Sequence, residues 1–286
     1  MRIASWNTRS FGNIEKGRMV GSMVNKYQIQ FLAIQETMVK KVKQPILNSI
    51  WKHFVFQEVQ VSSNGRSGGL LSIWHDDCFT LLNHWSNRYW IATLLRYTLN
   101  QRIVLIINIY APQSEHDKLF VWQQLSAIAN QWSGPISFLG DFNSVCHPEE
   151  RFREVIDPIA ISKFNNFILS DNVIDQALCN EEFTWDGPDE KMSRIDRVMV
   201  NVSWLSLFPD SILQAGLQKL SNHKPIILGK KLQDWGPKPF RFNNSWLLQK
   251  KFITLCNEKW DSLDYEGWAA FTLSMKFRVL KCYLRE

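Results

Sequence analysis

The chain is short of every device that marks an exported or metal-stapled protein. Its five cysteines (Cys78, Cys146, Cys179, Cys256 and Cys282) are odd in number, widely spaced and without a C-x-x-C pair. That argues against a disulfide framework and a zinc module, and it fits a reducing compartment with free thiols. Cys146-His147 has no second pair at metal-ligand spacing to complete it. No apolar stretch approaches the roughly 20 residues that span a bilayer. The longest, Ile103 to Ile109, is interrupted by Asn108, and the opening Met1-Arg2-Ile3-Ala4-Ser5-Trp6 reads as a strand, not a signal peptide. Internal repeats and low-complexity tracts are also missing. These absences predict an intracellular protein, of the cytoplasm, the nucleus or both, with no membrane partner and no secretion.

What is present is a globular composition. Hydrophobic residues make up 45% and charged residues 21% of 286 positions, enough for one large domain or a domain with an appendage. A net charge of +6 leans toward an anionic partner, nucleic acid first among them.

Short β-rich runs occur at Ile3–Trp6, Phe31–Ile34, Leu70–Trp74, Trp90–Leu95, Ile103–Tyr110, Ile136–Leu139, Ile195–Val200 and Ile226–Leu228. Helical spacing occurs at Glu15–Tyr27, Ser114–Trp132 and Ile161–Ser170, the second with Ser114 as N-cap and Glu115 and Asp117 in its first turn. Successive strands without helices between Gly68 and Tyr110 predict mixed or antiparallel sheets with helices outside, a layered α/β sandwich. Trp235-Gly236-Pro237-Lys238-Pro239 is a stiff connector. The expected organisation is a domain over 1–231, a linker over 232–245 and a helical tail over 246–286.

Polar residues gather at strand ends. Asn7 follows the first strand and Glu36 the second, in Gln35-Glu36-Thr37; Tyr110 ends the long strand in Tyr110-Ala111-Pro112. Gly140-Asp141-Phe142-Asn143 follows an apolar run, and strand alternation would place Asp141 and Asn143 on one face with Phe142 in the core. Gly140 would let the backbone approach something closely, such as a phosphate. Ser193-Arg194-Ile195-Asp196-Arg197 and Ser221-Asn222-His223-Lys224-Pro225 complete the set. Trp185 and the His147–Arg151 segment read as structural, the first as core and the second as a surface loop with a helix start.

In order and content these segments resemble the endonuclease/exonuclease/phosphatase superfamily, over roughly Met1 to Lys231. Asn7-x-Arg9, Arg66-Ser67-Gly68-Gly69-Leu70 and the Ser193–Arg197 segment look most like endonucleases of plant LINE-type non-LTR retrotransposons, and Pro239 to Leu247 resembles the connector behind them. The resemblance implies a DNase I-like fold: a four-layered α/β sandwich of two mixed, mostly antiparallel sheets flanked by helices, here with a helical C-terminal tail. It implies a DNA partner, Mg²⁺ with Mn²⁺ as the alternative, and no small organic cofactor. A reverse transcriptase would normally follow, so the chain looks like a truncated copy lacking that domain.

Residue by residue, the resemblance assigns Asn7, Glu36 and Asn222 to the metal. Asp141 would orient or deprotonate the attacking water, while Asn143 and Tyr110 would hydrogen-bond the scissile phosphate. His223 would bind a non-bridging oxygen or act as general acid, with Asp196 fixing its tautomer. Arg9, Arg194 and Arg197 would be phosphate contacts, with a solvated surface as the other reading of the last two. One position departs: Asn222 stands where the family usually has aspartate, which predicts weaker metal binding and reduced activity. Two alternatives stay open, a phosphoesterase of the same fold acting on another phosphate and an inactive relic with at most weak nucleic-acid binding.

Overall fold

In a computed structural model of the chain, which describes residues 1–51, 55–65, 67–218, 220–230 and 244–284, the continuous apolar runs of the sequence are strands buried on both faces. The chain divides into two units, Met1–Leu232 and Gln233–Glu286. Most of the expected linker lies outside the described residues, as do Arg66 and much of the Pro239–Leu247 segment.

The first unit begins β1 (Arg2–Asn7), α1 (Ile14–Tyr27), β2 (Phe31–Gln35), α2 (Gln44–Ile50), β3 (Phe56–Val61) and β4 (Leu70–His75). It continues β5 (Phe79–Ser86), β6 (Trp90–Tyr97), β7 (Arg102–Tyr110), α3 (Glu115–Asn130), β8 (Ile136–Asp141) and β9 (Arg151–Phe152). It ends α4 (Pro158–Ser170), β10 (Val173–Asp175), β11 (Trp185–Asp186), β12 (Met192–Ser193), β13 (Asp196–Asn201), α5 (Val202–Leu207), β14 (Ser211–Ala215) and β15 (Ile226–Lys230). Two six-stranded sheets result, in the orders β14-β15-β1-β2-β4-β3 and β10-β13-β8-β7-β6-β5, with β11-β12-β9 as a small third sheet. Each large sheet has one parallel pair, β1 with β2 and β7 with β8, and antiparallel pairs elsewhere.

The strands alternate between two apolar environments, and that alternation explains their sequence. Phe31 and Ala33 of β2 and Val104 and Ile106 of β7 share one core, between the sheets. Leu32 and Ile34 face a second core with Val20 and Val24 of α1 and Leu47 of α2. Leu105 and Ile107 face a third, with Trp122 of α3 and Phe164 and Phe167 of α4. Helix, sheet, sheet and helix therefore form four layers, the DNase I-like α/β sandwich.

Local chemistry sets the helix starts. Asn13 caps α1 by accepting from the Lys16 N–H at 2.8 Å, and Asp157 caps α4 through the Ile159 and Ala160 N–H groups at 2.9 and 3.2 Å, with Pro158 next. Ser114 does occupy the N-cap of α3, but its side chain makes no capping bond. Helix α4 starts ahead of the expected Ile161 because the Asp157 cap and Pro158 fix its first turn.

In the second unit, α6 (Lys250–Asp261) and α7 (Ala269–Tyr283) meet through Trp260 and Phe277, whose rings are 5.2 Å apart. Among the described residues no helix is long and apolar enough to cross a membrane.

Candidate active site

The site forms where strand ends of both large sheets converge. In the second sheet, Tyr110 of β7 and Asp196 of β13 both pair in register with Asp141 of β8, which places three polar side chains along one edge. In the first sheet, β1 and β2 run in parallel register and deliver Asn7 and then Glu36 to the same end. The halves meet at Asn7, whose Nδ2 donates to Asp141 Oδ2 at 2.8 Å and to Glu36 Oε1 at 3.2 Å.

Directional bonds fix the sheets against each other just behind this point. Gln35 Nε2 donates to Asn108 Oδ1 of the opposite sheet at 2.7 Å and to Ser5 Oγ at 2.9 Å. Asn108 Nδ2 donates in turn to the Leu71 carbonyl at 3.0 Å. All of these groups are buried, so each lost bond would leave an unsatisfied polar atom. An apolar interface alone has no such directionality.

Backbone turns complete the placement. Glu36, Asn143 and Arg9 all have left-handed φ, +52°, +48° and +43°, a conformation that costs a non-glycine residue and clusters at functional sites. Asn143 therefore does not reach the site by strand alternation from Asp141. Strand β8 ends at Asp141, Phe142 is fully buried, and the chain turns so that the Asn143 N–H donates to Asp141 Oδ1 at 2.9 Å. The Asn143 amide donates to the Ala111 carbonyl at 2.7 Å. Gly140 serves the sheet: at φ +151° its Cα lies against β7, and a Cβ there would overlap the Ile109 carbonyl oxygen.

His223 sits opposite. Its Nδ1 lies 2.9 Å from Asp196 Oδ2 and its Nε2 lies 4.0 Å from Asp141 Oδ2, while its carbonyl accepts from Trp6 Nε1 at 3.0 Å. Burial alone would lower the imidazole, but the Asp196 carboxylate overrides it and lifts His223 to about 9. Burial pushes Asp141 up to about 7, opposed by His223 and reinforced by Asp196. Burial, then Glu36, push the Tyr110 phenol well above its ordinary range, so it is a neutral hydroxyl donor.

The cleft between these groups measures about 320 Å³ and is lined by Arg9, Glu36, Asp141, Asn143 and His223. Sequence reasoning missed Gln113, Lys118 and Glu154 on its walls, and it placed Trp185 in the core, where the structure has it half-buried and lining the cleft. Arg9 lies at the mouth, its Nε 3.9 Å from Glu36 Oε2.

Arg194 and Arg197 correct the expectation of phosphate contacts. Arg197 is fully buried and pairs with Glu150 and with Asp175 Oδ2 at 2.5 Å; Arg194 pairs with the same two acids at 3.0 and 3.1 Å. The reason is position: Arg197 follows Asp196 within β13 and so points to the opposite face, and Arg194, two residues before Asp196, reaches the same acids, so that both anchor the His147–Glu150 loop. Cys146, Glu150 and Asp175 lie near enough together to suggest a metal site, but the guanidinium groups already hold both carboxylates.

Whether these donors suit a hard cation is decided by their atoms. Glu36 offers a carboxylate and Asn7 an amide oxygen that also accepts from the Arg9 N–H at 3.1 Å, both hard donors; Asn222 Oδ1 is buried without a hydrogen-bond partner, an orphaned acceptor, though Asn222 is not among the residues that line the cleft. The Asp141–Asp196–His223 group also clusters, with His223 Nδ1 held by Asp196 and Nε2 directed toward Asp141, an arrangement whose chemistry suits proton transfer or a ligand set.

No protein-family model matches the sequence, and no curated protein matches it. Solved structures do. An AP endonuclease from Archaeoglobus fulgidus is similar with a TM-score of 0.64 at 15% identity, over 81% of this chain and 100% of that one. A 3'-5' exonuclease from Neisseria meningitidis gives 0.61 at 18% identity, over 81% and 100%. The endonuclease domain of TRAS1, a telomere-specific non-LTR retrotransposon, gives 0.59 at 12% identity, over 81% and 99%. Two facing mixed sheets, strand ends converging on one cleft and these similarities together give the chain a DNase I-like fold.

Proposed function

We propose that the chain is a divalent-metal-dependent phosphodiesterase that nicks DNA, of the kind found in non-LTR retrotransposons. The observation that carries this reading is the meeting at one cleft of Glu36 and Asn7 from one sheet with Asp141 and the Asp196–His223 pair from the other. Similar solved structures named as AP endonucleases, an exonuclease and a retrotransposon endonuclease support it, as does the net charge of +6.

Asn7, Glu36 and Asn222 would hold Mg²⁺, or Mn²⁺ in its place. When bound, the cation supplies neutralising charge at a phosphate oxygen. Asp141, ionised, accepts a proton as a water oxygen bonds to phosphorus. The phosphorus–O3′ bond breaks, leaving a 3′-hydroxyl and a 5′-phosphate. Tyr110 donates its hydroxyl to a phosphate oxygen, and Asn143 has a second amide N–H for the same purpose beyond the one held by Ala111. Asp196 holds Nδ1 of His223, which turns Nε2 toward Asp141 and the cleft, so the imidazolium faces the phosphate charge or protonates the leaving oxygen.

The test is relaxation of supercoiled plasmid in Mg²⁺ across a salt series. DNA cleavage should weaken steeply with salt as Lys and Arg contacts release counterions, whereas cleavage of a small phosphate ester should change little. A shallow slope with rapid hydrolysis of the small ester would move the reading to a phosphoesterase of the same fold.

Asn222 favours a weakened enzyme. Asn222→Asp restores a negative charge where the buried Oδ1 now has no partner. It is expected to raise nicking at limiting Mg²⁺ by about tenfold and to lower the Mg²⁺ needed for half-maximal rate. An unchanged Mg²⁺ titration would remove Asn222 from the metal's surroundings.

A further inference from the structure

Among the described residues Lys118 is the one buried lysine, and neither the fold nor the chemistry above uses it. An ammonium group taken from water must be paired. Lys118 Nζ donates at 2.6 Å to Glu115 Oε1, one turn back on α3, and at 2.6 Å to the Asn143 carbonyl. Helix α3 thus carries a cation to the backbone of the loop that presents Asn143.

That loop needs holding, because Asn143 sits at φ +48°, where a side chain is strained. Two of its three restraints come from the strand ends themselves: its N–H donates to Asp141 and its amide to the Ala111 carbonyl. The third, from Lys118, is the one that ties it to a different layer. Lys118, with Glu115, Asn143 and Arg151, lines both the cleft and a side cavity of about 70 Å³. Without the ammonium, water from that cavity could satisfy the Asn143 carbonyl without fixing it.

We propose that Lys118 is a positioning residue: clamped by Glu115, it locks the Asn143 backbone so that the asparagine amide meets a phosphate in a fixed orientation. The assignment of that phosphate rests on the function proposed above; the lock does not.

Lys118→Met tests both. Plasmid nicking should show turnover down by about tenfold or more with KM within about twofold, the pattern of a group that acts through another. Hydrogen exchange at the Asn143 backbone amide should quicken by about tenfold. Normal turnover with unchanged Asn143 exchange would overturn the proposal. So would a rise in KM with a salt slope smaller by about one, since that marks a direct phosphate contact. If the native chain does not nick, the functional reading falls while the exchange result still decides the role of Lys118. Should Lys118→Met fail to fold, Glu115→Gln replaces it: that side chain is 38% exposed, and the same quickening at Asn143 is expected, its absence counting against the lock.

Discussion

Asp141→Asn is expected to lower plasmid nicking by about a thousandfold with little change in KM, the size of loss that follows removal of a general base. The two side chains match in shape, so the effect isolates charge and proton chemistry. Asp141 now accepts from Asn7 on one oxygen and from the Asn143 N–H on the other. An amide can accept at only one of these positions, and its NH₂ would oppose a donor at the other. It also cannot take a proton from water, and it removes a negative charge 4.0 Å from His223. Folding should suffer less than activity, because burial disfavours the carboxylate that is lost. Initial rates beside a thermal melt make the comparison, and a loss below about tenfold would deny Asp141 the base role.

Arg197→Leu is expected to cost about 3 kcal/mol of stability, because two part-buried acids lose the fully buried guanidinium between them and keep only Arg194 as a cationic partner. Arg197 donates to Glu150, to Asp175, to the Arg194 carbonyl at 3.0 Å and to the Ser144 carbonyl at 3.3 Å. Glu150 would keep Arg194 and the Cys146 N–H, but Asp175 would keep only Arg194. The Ser144 bond joins this cluster to the chain just after Asn143, so the loop below the site should loosen too. The melting temperature should fall by about 10 °C or more, while the salt slope of nicking by the remaining folded protein stays as in the native chain. A stable variant with a salt slope reduced by about one would instead restore Arg197 as a phosphate contact.

These outcomes bear on what could be read before the fold was known. The strands were legible because both faces of most are buried, which leaves uninterrupted apolar runs such as Val104–Ile107. The edge strand β5 was not: only Phe79 is buried along it, and its remaining residues carry no pattern. The edge strands β3 and β14 also bury few residues, and α2 and α5, at seven and six residues, are too short to show a helical period. Asn7, Glu36, Tyr110 and Asp141 could be picked out because each ends or follows a recognisable strand, and His223 because it shortly precedes one, Ile226–Lys230. The inward turn of Arg194 and Arg197 could not, since their acids lie 19 or more residues away. Lys118 left no trace either, as its acceptor Asn143 is 25 residues distant and bonded through a backbone carbonyl, which any residue type supplies.

The most direct test is Mg²⁺-dependent relaxation of supercoiled plasmid by the native chain beside Glu36→Ala. Glu36 is the carboxylate that the first sheet brings to the cleft, within 3.2 Å of the Asn7 amide that also holds Asp141. Nicking by the native chain that disappears with chelation of Mg²⁺ and in the Glu36→Ala variant is the predicted result. Equal nicking by both proteins, or none by a folded native chain and none by its Asn222→Asp variant, would contradict the account of this cleft as a phosphodiester-cleaving site.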